Sequence, residues 1–167
     1  MQVLKFGGSS VKSSKNIKQV ISILERYSKQ DNAVCVVSAV GGITDKLLKV
    51  GQLALEKNDA YVEIFEEIKS THFDIVSELF PNSNDNLIEF LNDELERLKI
   101  LLHGIYLINE LTPKTLDKLA SFGELLSSQI IAEFAKEKGI DAVRKNSQDL
   151  IITNSNFTNA EVNYLVT

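Results

Sequence analysis

Twice within the first 57 residues a short apolar run is followed by a glycine pair and then by a stretch with helical periodicity. This repetition constrains the fold more than any other feature of the chain. In the first unit, residues 2–6 (QVLKF) read as a strand and Gly7-Gly8 as a loop. Residues 14–30 follow as a helix, because Ile17, Val20, Ile21 and Leu24 recur at spacings of three and four and make one apolar face. Asp31 and Asn32 form a turn. In the second unit, residues 33–38 (AVCVVS) are continuously apolar, the pattern of a strand covered on both faces. The loop AVGGIT and a helix over about 44–57 come next, with Leu47, Leu48, Val50 and Leu53 directed inward. The order strand, loop, helix, repeated, predicts an α/β fold with a parallel sheet and crossover helices. Both glycine loops then leave the same C-terminal edge of the sheet, where such folds bind ligands.

The middle of the chain changes character. Residues 60–79 carry Val62, Phe65, Ile68, His72, Val76 and Leu79 at helical spacing, and Pro81 to Asn84 break the pattern. Residues 85–109 place Ile88, Leu91, Leu95, Leu98, Leu102 and Ile105 in alternating steps of three and four, close to a heptad seam. The pair predicts a long antiparallel helical hairpin, packed on itself or on a partner. Pro113 suits a first helical turn, and a helix over about 114–138 ends at Gly139. IDAVRK and DLIIT are two further strand candidates. Thr158-Asn159-Ala160-Glu161 has the form of a capping box and predicts a helix starting there. So short a helix is marginal alone, which leads us to expect a segment of a longer protein.

A chain of 167 residues with 44% hydrophobic content can bury one core. Its net charge of -5 argues against general nucleic-acid affinity, which rests on many Lys and Arg contacts to phosphate. No apolar stretch is long enough to span a membrane, and the N-terminus lacks the pattern of a signal peptide. The single cysteine, Cys35, cannot form an internal disulfide, reads as a buried small hydrophobe, and fits a reducing cytosol. His72 and His103 lie in separate helical patterns and read as packing residues. No zinc spacing and no metal-ligand set are predicted.

Three motifs carry chemistry. KFGGSS lies between a strand and a helix, where glycine lets backbone N–H groups approach a ligand and a helix start favours an anion. Lys5 adds a cation. Neither the Walker pattern nor the dinucleotide fingerprint is present, since this lysine precedes the glycines. A phosphate loop and a tight turn with an edge lysine both fit. SAVGGIT repeats the arrangement, with Ser38 and Thr44 as candidate donors to a small polar substrate; helix capping by Thr44 is the alternative. In SFGELLS, Gly123 lies inside a helix, at a cost of about 1 kcal/mol against alanine, which points to a close approach. Glu124 falls at the margin of the apolar stripe and needs a cationic partner or a water-filled cleft; a substrate ammonium would serve, and a surface salt bridge is the alternative.

KFGGSSV, VVSAVGGITDKL and SFGELLS, in this order, resemble the aspartokinases of the amino-acid-kinase fold. The stretch LKILLHGIYLINELTPKTLDKLASFGELLSSQI is most similar to the kinase portion of the fused aspartokinase–homoserine dehydrogenases. The resemblance implies a three-layer αβα, carbamate-kinase-like fold, of which residues 1–167 are the N-terminal, aspartate-binding part. It implies ATP-dependent phosphorylation of the L-aspartate β-carboxylate in a cytoplasmic homo-oligomer. Mg²⁺ would accompany the ATP, and NAD(P) would enter only with a dehydrogenase domain. By position, Lys5 would neutralise phosphate charge as the catalytic cation. Gly7, Gly8 and Ser9 would cradle the phosphoryl group with it. Ser38, Thr44 and Glu124 would hold aspartate, Glu124 through its ammonium group. The family's later G-R-G-G-S-D segment does not occur here, so these residues alone are expected to lack kinase activity. Kinases of acetylglutamate, glutamate or uridylate type, and a non-catalytic interaction module, are the alternatives.

Overall fold

The computed structural model describes residues 1–28 and 32–167. The order of elements is β1 (Gln2–Phe6), α1 (Ser14–Ser28), β2 (Ala33–Val37), α2 (Ile43–Leu55), α3 (Ala60–Leu79), α4 (Asp85–Ile108) and α5 (Pro113–Glu137). Short 3-10 turns occupy Gly8–Ser10 and Ser147–Asp149. The end of the first sequence-predicted helix and Asp31 of the turn lie outside the described residues.

β1 and β2 pair in parallel, with Lys5 opposite Val36 and Phe6 opposite Val37. Alternation along each strand divides the sheet into two unlike faces. Leu4, Phe6, Cys35 and Val37 pack on the helical core. Val3, Val34 and Val36 face outward, 64%, 43% and 46% exposed, and Lys5 shares their face. The expectation that β2 is covered on both faces is therefore not met among the described residues, where the Val34 and Val36 face stays open. The unbroken apolar run reads as doubly covered because both of its faces are apolar, whether or not a second layer is at hand.

Helix ends follow local chemistry. Ser13 Oγ accepts from Asn16 N–H at 3.3 Å at the start of α1. Asn84 caps α4 through Leu87 N–H at 3.1 Å, and Thr112 caps α5 through Thr115 N–H at 3.2 Å, ahead of Pro113. α4 ends where Asn109 turns left-handed (φ 56°), and α5 is followed by Gly139 at φ 78°.

α2 is the hub of the helical layer and packs against α3, α4 and α5 alike. Its inward residues are Ile43, Leu47, Val50, Gly51 and Ala54, while Leu48 faces out, as does Val62 of α3. α3 and α4 run antiparallel, since Tyr61 near the start of one stacks on Tyr106 near the end of the other at 5.6 Å. The heptad-like seam does not zip these two together. Leu91, Leu95, Leu98, Leu102 and Ile105 are buried, but α4 approaches α2 and α5 most closely. A stripe at three-four spacing specifies a buried face and not the helix that buries it.

After α5 the remaining expectations change. IDAVRK forms no strand, and DLIIT contributes only an isolated bridge, Thr153 to Val162. No helix starts at Thr158. Its backbone is left-handed (φ 67°) and its N–H donates to Asp117 Oδ2 at 2.8 Å. Glu161, the other half of the expected capping box, pairs instead with Asn154, whose Oδ1 accepts the Glu161 N–H at 3.1 Å. Among the described residues no helix is long and apolar enough to cross a membrane.

Candidate functional site

Parallel pairing sends both glycine loops off the same sheet edge, and the ladder runs one residue beyond β2, with Ser38 N–H donating to the Phe6 carbonyl at 3.0 Å. The loops are then pressed backbone to backbone. A Cβ on Gly8 would stand 3.1 Å from the Ala39 carbonyl oxygen. A Cβ on Gly41 would stand 3.2 Å from the Gly8 carbonyl oxygen and 3.0 Å from Lys12 Cβ. Gly42 adopts φ 83° as N-cap of α2, a conformation that disfavours any side chain. Gly42 therefore holds the cap position considered above for Thr44, which lies one residue inside the helix.

α5 closes on the same loop. A Cβ on Gly123 would lie 2.7 Å from Ala39 Cβ, which explains a glycine inside a helix. One residue on, Glu124 Oε1 accepts from Ala39 N–H at 3.3 Å. The partner of this oxygen is a backbone amide and not a cation. On the next turn Ser127 Oγ donates to the Ser38 carbonyl at 2.8 Å. The sequence reading did not single out Ser127 or Gly41. The signal for Ser127 was its place three residues after Glu124, on one helix face.

Lys5, Gly7, Gly8, Ser38 and Glu124 are thus gathered around the Ala39–Gly41 backbone. The Lys5 ammonium nitrogen lies 3.6 Å from where a Gly7 Cβ would be, so the side chain runs up the open sheet face to the loop edge. It has no ion-pair partner among the described residues. The N–H groups of Gly8 and Ser9 have no acceptor among the described residues, while the Ser9 carbonyl is held by Asn16 Nδ2 at 3.4 Å. The hydroxyls of Ser9, Ser38 and Thr44 also lack partners among the described residues. Thr44 follows Ile43, whose Cγ2 lies 3.5 Å from the Gly123 Cβ position, so the first turn of α2 flanks the same corner. A free ammonium and free N–H groups form a donor set suited to a phosphoryl group, and one carboxylate beside free hydroxyls suits a zwitterion.

Cys35 lies inward from this edge, and burial pushes its thiol up to about 11, so it stays protonated at neutral pH. His72 is buried, its Nδ1 2.7 Å from the Ile68 carbonyl and its Nε2 without a partner among the described residues, so it packs as expected but is only half satisfied. His103 is exposed, contrary to its reading as a packing residue. Among the described residues no group of three or more His, Cys, Asp or Glu side chains is placed to hold a metal ion.

The family model described as "Amino acid kinase family" matches residues 1–165. Aspartokinase 1, chloroplastic, of Arabidopsis thaliana is 36% identical over 164 residues, 96% of this chain and 28% of its own length. The bifunctional aspartokinase/homoserine dehydrogenase 1, chloroplastic, of the same plant is 29% identical over 153 residues, 90% of this chain and 16% of its own length. Escherichia coli aspartokinase III, solved in complex with aspartate and ADP, superposes with a TM-score of 0.86 at 26% identity, over 99% of this chain and 35% of that one. The chain spans less than a third of the length of the curated relatives it matches.

Proposed function

The chain belongs to the amino acid kinase family, and from that premise we propose that it is the aspartate-binding, N-terminal part of an aspartokinase catalytic domain. In this reading a β-carboxylate oxygen of L-aspartate attacks the γ-phosphorus of ATP. The bond from that phosphorus to the leaving oxygen breaks, giving 4-phospho-L-aspartate and ADP. Such transfer depends on positioning and charge stabilisation more than on covalent chemistry. Lys5 meets the charge of the transferring group, and the Gly8 and Ser9 N–H groups hold its oxygens. Ser38 and Thr44 donate to substrate carboxylate. Glu124 keeps Oε1 on Ala39 N–H and offers Oε2 to the substrate ammonium. Mg²⁺ would accompany the nucleotide and share its phosphate charge.

The observation that carries the proposal is the pairing, across one glycine-tight edge, of an unpartnered lysine with a carboxylate held in place by a backbone amide. The names of the relatives and of the aspartate- and ADP-bound neighbour support it. With Cys35 as its single cysteine, the sequence has no second thiol for an internal disulfide, which fits the reducing cytosol we assign to it.

The test uses the full-length protein, with aspartyl phosphate trapped as a hydroxamate. Lys5→Ala is expected to lower kcat by about a thousandfold, the usual loss of one preorganised charge-stabilising group. Glu124→Gln is expected to raise KM for aspartate by about tenfold or more. Residues 1–167 alone are expected to show no turnover. Turnover of glutamate, acetylglutamate or uridylate in place of aspartate would redirect the substrate. Undiminished turnover by Lys5→Ala would end the kinase reading of this edge.

A further inference from the structure

We infer that Ser127 is a positioning residue for the substrate half of this edge, and that it acts through the Ser38 carbonyl. The inference rests on the reading of Ser38 and Glu124 as substrate contacts. These two residues belong to different elements, Ser38 to the loop after β2 and Glu124 to α5. Nothing in the chain sequence between them fixes their separation. Three contacts do so in space. Gly123 lets α5 descend onto Ala39, Glu124 Oε1 accepts the Ala39 N–H at 3.3 Å, and Ser127 Oγ donates to the Ser38 carbonyl at 2.8 Å. The first is permissive and the second is long. The third is the short tie, and its Ser127 end has no exposed surface.

The chemistry of Ser127 suits that task alone. A buried hydroxyl cannot reach a ligand, so Ser127 is not a catalytic residue. Its hydroxyl also lies 3.2 Å from the Glu124 carbonyl, on its own helix, where a helical serine finds an acceptor without help. The shorter bond is the one that leaves the helix. Ser38 meanwhile has its N–H on the Phe6 carbonyl at 3.0 Å. Ser127 therefore completes a backbone clamp on both polar groups of Ser38, and leaves the Ser38 hydroxyl free to face a substrate. Loosening the carbonyl end lets Ser38 drift against Glu124 while Lys5, on the phosphate side, stays where its β1 pairing with Val36 puts it.

The test is steady-state kinetics of the full-length protein, wild type against Ser127→Ala and Ser127→Cys, together with hydrogen exchange of the amides of residues 38–42. Ser127→Ala is expected to raise KM for aspartate about five- to tenfold, the effect of one lost hydrogen bond, with KM for ATP changed less than about twofold. Ser127→Cys, a weak donor of similar shape, is expected to fall between. Exchange at residues 38–42 should accelerate in Ser127→Ala. Equal changes in both KM values, or an unchanged aspartate KM in a folded variant, would overturn the assignment. A wild-type protein that does not phosphorylate aspartate would instead sink the functional reading. In that event exchange decides alone: faster exchange at residues 38–42 upholds the clamp, and unaltered exchange removes it.

Discussion

Two glycines inside long helices show how differently the loop edge and the helical layer use their residues. Gly123 in α5 and Gly104 in α4 each cost about 1 kcal/mol against alanine. At Gly123 a Cβ would meet Ala39 at 2.7 Å, with Leu47 and Ile43 close behind. At Gly104 a Cβ would meet nothing within 4 Å. The polar groups divide in the same way. In the helical layer they serve the chain: Asn84 and Thr112 cap helices, and Glu133 pairs with Lys136 at 2.8 Å. At the edge the side chains of Lys5, Ser9, Ser38 and Thr44 have no partner among the described residues. Tight backbone approach combined with idle donors is what a ligand site requires, since each element is costly unless something outside the chain uses it.

The comparison can be broken first through the core. Phe134 is buried and meets Phe80 edge-on, with ring centres 5.7 Å apart at 77°. Phe134→Ala is expected to cost about 3–5 kcal/mol, measured by urea unfolding. Aspartate KM in the folded fraction should stay within about twofold, because a cavity far along α5 leaves the Gly123 corner intact. A large shift in KM would show that core and edge are not separable.

Gly123→Ala acts the other way round. The added methyl must displace Ala39, which has no flexible end to give, and such overpacking costs about 1–3 kcal/mol. Here the aspartate KM should rise by more than the loss of stability suggests, because Ala39 N–H is the donor to Glu124. Kinetics in which kcat and both KM values are unchanged would mean that the loop yields freely and that Gly123 is not a spacer.

Much of this edge was legible in the sequence because glycine is informative wherever backbones must touch. Both loops, their shared edge and the close approach at Gly123 followed from glycines set between strand and helix. Of the seven regular elements, the six other than α1, whose expected end lies outside the described residues, emerged near their limits, β1 and α3 without any shift. What stayed hidden was partnership. Leu91 to Ile105 announced a buried face but not that α2 and α5 would cover it. Glu124 announced a need for a positive partner, and a backbone amide supplied it. Thr158 and Glu161 had the spacing of a capping box, yet Asp117 and Asn154 captured their backbones first. Local pattern cannot foresee a competitor 41 residues away in sequence.

His72 sharpens the contrast on the side of the helical layer, as a buried polar group that serves no edge. Burial lowers its pKa below the ordinary 6.5, against a weaker opposing pull from the Ile68 carbonyl. The unfolded chain therefore binds a proton near pH 6.5 that the folded chain refuses. Stability from this group is complete above that pH and declines as pH falls below it, by at most about 1.4 kcal/mol per pH unit for one proton. Unfolding measured at pH 7.5 and at pH 5.5 should show a smaller loss in His72→Leu than in the wild type. Equal losses would assign the acid sensitivity to carboxylates instead.

The smallest expected effect is the most direct check on the opening contrast. Gly104 is followed and preceded by apolar residues that face outward, Ile100, Leu107 and Ile108, each more than 60% exposed. Among the described residues nothing outside its own helix backbone lies within 4 Å of a Cβ there, its helix continues on both sides, and its place in α4 does not call for left-handed backbone. Alanine there removes backbone entropy from the unfolded chain and adds no clash, so Gly104→Ala should stabilise by about 1 kcal/mol. The same substitution at Gly123 should destabilise, and the opposite signs of two identical changes are the prediction. A loss of stability at Gly104 would mean that its helix surface is in close contact with something beyond these residues, in which case this glycine too is a spacer and the division between edge and helical layer fails at that point.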